Sequence, residues 1–489
     1  MEKPPALARG GWIRRAGRRG KTPRRGRLAY SQEGRQVEME QKSAAISAEM
    51  IEAASQSYRN GPLKGVTDSV VKNGIANTAY SREASIRMTP IFSDEIEAMS
   101  VTNQKKSGRC WIFAGMNVLR YHLNETLHFK TPDFELSQAY VMFWDKLEKA
   151  NYFLESVLET AKEDKGSRTV MWLFGTLLSD GGQWDMLVSI IRKYGVVPKY
   201  AMPEAFESSN TSKLDAILCK KLRADGVRLR RMAADGESAD RLGAEKAAMV
   251  SEVYGLLCCF LGEPPRTFDF AYRDKENVFH RDAGLTPRRF YEKYFGNFLD
   301  DYVSVINAPT AGKPLGHTYT VRFLGNVVGG RPVTYLNLET GELARTACRQ
   351  IRDGRPVWFG SDVGKMSERE LGILDTAIYN YEGVLHTDLG MSKADMLDYG
   401  QTCLTHAMML LGVDIAEDGG ITKWKVENSW GDDVGKKGFF VMSAEWFRTY
   451  VCQVVVNKKY LTEEERAALG EKPVVLEPWD PIGSLARMD

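Results

Sequence analysis

The sequence predicts an α+β fold in which a helical first half precedes a strand-rich second half. From Cys110 onward, apolar residues recur at steps of three and four, the spacing of one buried helix face (Ile112, Met116, Leu119, Leu123 and Leu127). After His317 the pattern changes to short runs of β-branched and aromatic residues, which are typical of strands (318–323, 332–336, 356–359 and 439–442). We therefore expect two lobes with a functional site in the cleft between them.

Cys110 stands at the predicted start of the first of these helices. A helix N-terminus favours a thiolate, because unpaired amides and the positive end of the helix dipole face the sulfur. Gly108 would let the backbone turn sharply just before it, and Gln104 would direct its side-chain amide towards a developing oxyanion. The alternative is a buried structural cysteine at the start of a core helix.

A nucleophilic cysteine needs a histidine partner and a third group, usually Asn or Asp, that fixes the ring. His406 opens an apolar, strand-like run, whereas the other histidines stand in ordinary surroundings. A strong turn signal at 417–420 lies between His406 and Asn428. Folding the chain back at this turn puts His406 opposite residue 431, so that a hairpin with a bulge would bring Asn428 to the imidazole. Trp430 would shield that bond from water.

These residues resemble those of the papain-type cysteine peptidases, and the wider set of motifs resembles their bleomycin hydrolase and aminopeptidase C branch. The motifs that carry the resemblance are 108–114, 180–185, 404–407, 427–433 and 479–481, within a similarity that extends over about 47–486. The resemblance implies a papain-like two-lobed core and an aminopeptidase of broad specificity. It also implies a homohexamer whose active sites face an internal cavity.

The predicted mechanism assigns a role to each site residue. Cys110 attacks the scissile carbonyl, and His406 protonates the leaving amine and then activates the water that hydrolyses the thioester. Asn428 orients the ring, while Gln104 and the Cys110 backbone amide bind the oxyanion. We expect no metal ion and no organic cofactor to be required.

The C-terminal residues resemble a terminal arm that lies in the cleft and ends near the catalytic cysteine. Such an arm would fill the subsites on the acyl side of the scissile bond, and its carboxylate would attract a substrate's free ammonium. Ala486 would then be the terminal residue and would contact the substrate together with Trp430. The chain extends beyond that point by residues 487–489, which we expect to be trimmed. The alternative is that this end lies on the surface.

Five segments are predicted. Cys110 and His406 are about twice as far apart along the chain as the roughly 130–150 residues usual for papain-like enzymes, so a large insertion is expected. The segments are a basic disordered tail or mis-assigned start (1–40), an N-terminal element with the catalytic helix (41–144), a mainly helical insertion (145–299), a β-rich lobe with His and Asn (300–470) and the arm (471–489).

Charge is distributed unevenly along the chain. Residues 1–27 hold ten Lys or Arg and one acid, a net charge of +9, so the remainder carries −7 of the total of +2. Such a tail is expected to be disordered and is consistent with a nucleic-acid-binding arm, although translation starting at Met39 is the favoured reading. A nucleic-acid-binding protein therefore stays open as an alternative function, as does a Cys-His acyl transferase.

The remaining composition favours a cytoplasmic enzyme acting on peptides. No run of eighteen apolar residues occurs, so no membrane span is predicted. The seven cysteines show no CxxC pair and no regular spacing, which indicates neither a disulfide framework nor a zinc site. An active thiol also needs a reducing compartment, which the cytoplasm provides.

Overall fold

A computed structural model describes residues 45–485 of the chain. The predictions for the tail (1–40), for Ala486 and for residues 487–489 lie outside the described residues.

Within the described residues, the chain divides into two compact units, one that ends at residue 68 and one that begins at residue 69. In the first unit, α1 (Ala48–Asn60) begins after Ser47, whose hydroxyl accepts a hydrogen bond from the Met50 amide at 3.2 Å. None of the residues of α1 is buried. Helix α2 (Leu63–Asn73) follows.

Up to residue 261 the second unit is mainly helical, with one short strand, β1. Its elements there are α3 (Ile75–Ala79), α4 (Arg82–Arg87), β1 (Asp94–Glu95), α5 (Cys110–Leu127), α6 (Gln138–Glu159), α7 (Arg168–Gly175), α8 (Trp184–Tyr194), α9 (Phe206–Ser209), α10 (Ser212–Ala234) and α11 (Ala239–Leu261). Helix α5 begins at Cys110, as the apolar spacing predicts, and every residue of its first three turns is buried. Helices α6, α10 and α11 pack against one another.

A two-stranded hairpin of β2 (Phe268–Arg273) and β3 (Phe279–Leu285) interrupts the helices. The sequence analysis did not predict strands in this segment. Phe268 and Phe270 alternate with exposed positions, and the Phe270 ring packs edge-on against Phe290 with centroids 4.9 Å apart. An aromatic cluster of this kind stabilises a hairpin that is too short to be stable alone.

The remaining elements are the strands of one large mixed sheet and the helices between them. They are α12 (Pro287–Tyr294), β4 (Tyr302–Ile306), β5 (Thr318–Val321), β6 (Tyr335–Asn337), α13 (Thr340–Arg352), β7 (Val357–Ser361), β8 (Ser367–Glu368), β9 (Ile373–Leu374), α14 (Tyr381–Leu385), α15 (Lys393–Asp398), β10 (His406–Ile415), β11 (Ile421–Glu427), β12 (Phe439–Ser443), α16 (Ala444–Tyr450), β13 (Val451–Asn457), α17 (Glu463–Ala468) and β14 (Val474–Leu476). The strand order is β14-β5-β6-β4-β13-β7-β10-β11-β12-β9-β8, with β1 also paired to β10.

Strand β10 separates two hydrophobic cores. Ala407, Met409 and Leu411 belong to the core that contains α5, whereas Met408 and Leu410 belong to the core that contains α13. Alternation of this kind follows from the two-residue period of a strand that is covered on both faces. The predicted α+β class is confirmed, and among residues 45–485 no helix is long and apolar enough to cross a membrane.

Candidate active site

Cys110 lies at the first position of α5 and is fully buried. Its Sγ accepts a hydrogen bond from the backbone amide of Ala407 at 3.5 Å. Because Ala407 directly follows His406, this bond joins the helix start to the beginning of β10. The geometry brings the predicted thiol and the predicted histidine, distant in sequence, to one place.

His406 and Asn428 are hydrogen-bonded. The His406 Nε2 atom lies 2.9 Å from Asn428 Oδ1, which also accepts the backbone amide of Ser429 at 2.8 Å. A carboxamide oxygen only accepts, so Nε2 carries the hydrogen and Nδ1 is the basic nitrogen. Nδ1 makes no hydrogen bond within residues 45–485.

The register of the hairpin explains how Asn428 reaches the ring. Gly412 faces Lys425, which is the register that folding about the turn predicts. A bulge between Leu410 and Gly412 then shifts the pairing by one residue, so that Met409 faces Glu427. Asn428 follows directly at the end of β11.

Gln104 is buried and held from both ends of its side-chain amide. Nε2 donates to the carbonyl of Ser107 at 2.6 Å, and Oε1 accepts from the Ser429 hydroxyl at 2.7 Å. The Gln104 backbone amide also donates to the Ser429 carbonyl at 2.8 Å. These bonds orient a two-hydrogen donor six residues before Cys110 and tie it to the loop that follows Asn428.

Trp430 lies against the catalytic candidate His406, with ring centroids 4.9 Å apart at an angle of 32°. The next residue, Gly431, has φ +82°, and a Cβ atom there would approach Asn103 Nδ2 to 2.3 Å. Glycine is therefore required at this turn, which places the indole beside the imidazole.

Burial acts against ionisation of the Cys110 thiol and of the His406 imidazole. It raises the pKa of Cys110 to about 12, and the amides of Ala407 and Trp111 lower it by less. Burial also lowers the pKa of His406 to about 4. The sequence predicts a lowered pKa for Cys110 from the helix dipole, but the desolvation of a fully buried thiol outweighs that effect. A thiolate is therefore favourable here only with the imidazolium beside it.

The comparisons with known proteins place this chain in a family. The model of the peptidase C1-like family matches residues 45–483. The chain belongs to the peptidase C1-like family. It is 49% identical over 442 residues to an aminopeptidase C of Listeria monocytogenes, with 90% of this chain and 99% of the relative covered. The corresponding values for an aminopeptidase C of Streptococcus thermophilus are 47% over 443 residues, 90% and 99%.

A solved structure agrees with these relatives. The crystal structure of PepW from Lactobacillus rhamnosis HN001 matches with a TM-score of 0.89 at 50% identity, covering 91% of this chain and 100% of that one. The resemblance to the aminopeptidase C branch of the papain-type cysteine peptidases, and the papain-like α+β fold that it implies, are confirmed.

One buried carboxylate beside the site was missed by sequence reasoning. Asp180 Oδ2 accepts the backbone amide of Gly108 at 2.7 Å, and Oδ1 lies 2.7 Å from Lys146 Nζ. Burial is the largest single influence on the pKa of Asp180 and acts to raise it, but Lys146, the Thr211 hydroxyl and the Gly108 amide together hold that pKa below its usual range. The Asp180 carbonyl also accepts from Trp111 Nε1 at 2.6 Å. Asp180 thus fixes the turn that leads into Cys110.

A second missed carboxylate joins α5 to the strand that leads to Asn428. Glu427 is buried and accepts hydrogen bonds from Asn117 at 2.7 Å, Arg120 at 2.9 Å and Tyr121 at 2.8 Å. Burial raises the pKa of Glu427, whereas Arg120 acts to lower it. The sequence held one signal for these two carboxylates, since both lie inside motif segments, 180–185 and 427–433. An acid that is buried in such a segment needs hydrogen-bond or charged partners.

The described part of the C-terminal arm is fixed next to the site. The Trp479 ring lies 3.9 Å from the Arg168 guanidinium carbon, and Asp480 pairs with Lys313 at 3.1 Å. Ser484 accepts from Gln183 Nε2 at 2.8 Å through its carbonyl and from the Leu404 amide at 3.1 Å through its hydroxyl. The arm therefore passes within two residues of His406.

A mainly apolar cavity of about 520 Å³ opens between the arm and the helical part of the second unit. Leu404 and Thr405, just before His406, lie in its wall together with Leu485, the last described residue. The other apolar wall residues include Phe153, Trp172, Leu177, Met186 and Leu324. Within residues 45–485, no cluster of His, Cys, Asp or Glu has the arrangement of a metal site.

The pKa of His406 gives an expected dependence of stability on pH. Unfolded imidazole titrates near pH 6.5, so below that pH the unfolded chain binds a proton that the folded His406 does not bind until about pH 4. Stability is therefore lost as the pH falls through this window. From pH 7 to 4.5 the loss through His406 should be roughly 2 to 3 kcal/mol.

Urea unfolding of the native chain and of His406→Gln at both pH values measures this loss. Other titrating groups contribute equally to both proteins, so the difference isolates His406. An equal loss of stability in the two proteins would contradict a buried neutral imidazole.

Proposed function

We propose that the protein is a cysteine aminopeptidase that removes N-terminal residues from peptides. The observation that carries the proposal is the placement of the Cys110 thiol at a helix start, one hydrogen bond from the residue after His406, with Asn428 on the far nitrogen of the ring. The name aminopeptidase C, which the relatives share, supports the same activity.

In the proposed reaction, the Cys110 proton moves to His406 Nδ1 as the sulfur attacks the scissile carbonyl carbon. Coupling the two steps avoids a separate charge in a buried site. The imidazolium then gives its proton to the leaving amine, the C–N bond breaks, and a thioester with Cys110 remains. Water, deprotonated by the same nitrogen, attacks the thioester and releases the acid and the thiol.

Gln104 and the backbone amide of Cys110 are proposed to stabilise the oxyanion. Gln104 is rigid, because Ser107 and Ser429 hold its amide, and a preorganised donor loses little energy on reorganisation. Loss of one such donor costs roughly 3–4 kcal/mol of transition-state stabilisation. Asp180 supports the turn between them through Gly108.

The C-terminal arm is proposed to make the enzyme an aminopeptidase. Its contacts with Gln183 and Leu404 hold it on the side of His406 where the apolar cavity lies. The arm would close the subsites on the acyl side, so that only one residue fits before the scissile bond. A terminal carboxylate at Ala486 would bind the substrate ammonium, and residues 487–489 would have to be removed first.

A panel of aminoacyl reporters tests the activity. We expect hydrolysis of reporters with a free amino group and little hydrolysis of their N-acetylated forms. Adding an amine nucleophile separates hydrolysis from acyl transfer, because a transferase would give mainly the aminolysis product. Absence of turnover with every free reporter would refute the proposal.

Deletion of residues 485–489 is expected to shift specificity. With the arm shortened, acetylated reporters should fit, and the ratio of their kcat/KM to that of free reporters should rise by roughly tenfold or more, since a charge-assisted contact to the ammonium is lost. An unchanged ratio would show that the arm does not set specificity.

Intact-mass measurement on the native chain and on Cys110→Ala tests self-trimming: fully active enzyme that retains 487–489 would refute it.

We further propose a homohexamer in the cytoplasm, as the family resemblance implies. Helix α1 has no buried residue and exposes Met50 and Ile51, which favours an apolar partner surface. Native mass spectrometry gives the subunit number.

Nucleic-acid binding by the basic tail is a second proposal, favoured by the net charge of +9 over residues 1–27. DNA retention at rising salt, with and without residues 1–38, tests it.

A further inference from the structure

An exposed arginine lies on the indole that covers the catalytic histidine. Arg369, in the turn between β8 and β9, has its guanidinium carbon 4.1 Å from the centroid of the Trp430 ring. Arginine stacks well on tryptophan because the planar cation meets the negative face of the ring. Arg369 makes no ion pair with any residue in 45–485.

The backbone around Arg369 is held in place. Its carbonyl accepts the Gly435 amide at 3.1 Å, and the neighbouring Glu368 carboxylate accepts the Tyr379 hydroxyl at 2.6 Å and the Glu370 amide at 3.1 Å. The nearest acid in sequence is therefore occupied by other donors. The structure presents a fixed guanidinium whose hydrogen-bonding edge is open to a ligand.

The position of this cation relates it to the leaving group. His406 must protonate the leaving amine, so the residue that carries the amine passes beside the imidazole and the Trp430 ring that covers it. The centroid of the Trp430 ring lies 4.9 Å from the centroid of the imidazole and 4.1 Å from the guanidinium carbon of Arg369. The cation is thus no more than about 9 Å from the imidazole, the span of two to three extended residues.

The charge of Arg369 reaches the reacting groups. Burial is the largest cause of the lowered pKa of His406, and the positive charge of Arg369 acts in the same direction. The C-terminal arm contacts Leu404 and lines the apolar cavity, whose wall includes neither Arg369 nor Trp430. An anion brought by the substrate to Arg369 would therefore come from its leaving part.

We propose that Arg369 binds the C-terminal carboxylate of short peptides, so that di- and tripeptides with a free carboxylate are better substrates than their amides. A guanidinium binds a carboxylate through two parallel hydrogen bonds, which fixes the leaving residue against Trp430. The inference rests on the proposed aminopeptidase activity and adds a subsite on the opposite side of the scissile bond.

The test compares Ala-Ala and Ala-Ala-Ala with their C-terminal amides and with an alanine arylamide, which has no carboxylate. For the native chain, kcat/KM should be about tenfold higher for the acids than for the amides, mainly through KM, and the preference should weaken at high salt. In Arg369→Ala the acid-to-amide ratio should fall to about one, with each rate expressed relative to arylamide hydrolysis by the same variant. Arg369→Lys keeps the positive charge but lacks the planar guanidinium, so this variant should retain part of the preference for acids.

Arg281→Ala is the matched control. Arg281 is likewise exposed and lies 5.3 Å from an aromatic ring, that of Phe279, but it belongs to the separate β2–β3 hairpin. This variant should keep the native preference for acids.

Three results would overturn the inference. An unchanged acid-to-amide ratio in Arg369→Ala would show that the carboxylate is not bound there. A parallel loss on acids, amides and arylamide would show that Arg369 only positions Trp430. Failure of the native chain to hydrolyse any of these compounds would overturn the proposed aminopeptidase itself, and the inference with it.

Discussion

Replacing Cys110 by alanine is expected to abolish hydrolysis while leaving the protein folded. In the proposed reaction the thioester forms on Cys110, so kcat/KM should fall by roughly four orders of magnitude or more. The truncation removes one buried sulfur atom and its bond from the Ala407 amide, which should cost no more than about 1–2 kcal/mol of stability. Reporter hydrolysis and thermal unfolding of the same preparation measure both quantities.

Cys452 supplies a matched control. Burial raises the pKa of the Cys452 thiol to about 12, as it does for Cys110, but Cys452 lies on β13 rather than at a helix start beside His406. Cys452→Ala should therefore keep its activity. Unchanged hydrolysis in Cys110→Ala would refute the assignment, and a large loss of stability with retained activity would indicate a structural cysteine.

Local patterns were sufficient to predict the elements that carry the site. The apolar spacing after Cys110 predicts a helix, and the structure has a helix that begins at this residue and is buried throughout its first three turns. The turn at 417–420 predicts the hairpin of β10 and β11, and the middle of the hairpin, from Gly412 to Asp414, has the predicted register. Both signals act within about twenty residues, where sequence periodicity is informative.

Features that depend on tertiary packing could not be predicted. The bulge between Leu410 and Gly412 moves the register by one residue, and nothing in the alternation of β10 signals it. The bond between Gly108 and Asp180 spans 72 residues and joins the catalytic turn to a distant loop. The hairpin of β2 and β3 owes its place to an aromatic cluster that includes Phe290.

The pKa of the Cys110 thiol likewise depends on tertiary packing and could not be predicted from the sequence. A helix start at Cys110 is a local feature, and it predicts a lowered thiol pKa. Complete burial is a property of the folded chain, and it raises that pKa to about 12. The position of Cys110 at a helix start was therefore predictable, but the direction of its pKa shift was not.

His406→Ala and Asn428→Ala are expected to differ strongly in activity although the two side chains share one hydrogen bond. In the proposed reaction His406 transfers protons in both halves, so its removal should bring kcat close to the level of Cys110→Ala. Asn428 fixes the hydrogen on Nε2 and the plane of the ring at 2.9 Å, which keeps Nδ1 basic, but transfers no proton itself. We expect Asn428→Ala to lose roughly 100-fold in kcat and to retain measurable turnover, since the ring still packs against Trp430 at 4.9 Å. Single-turnover kinetics of both variants, compared with Cys110→Ala, measure the ranking. A less active Asn428→Ala than His406→Ala would mean that the third group takes part in the chemistry and does more than orient the imidazole.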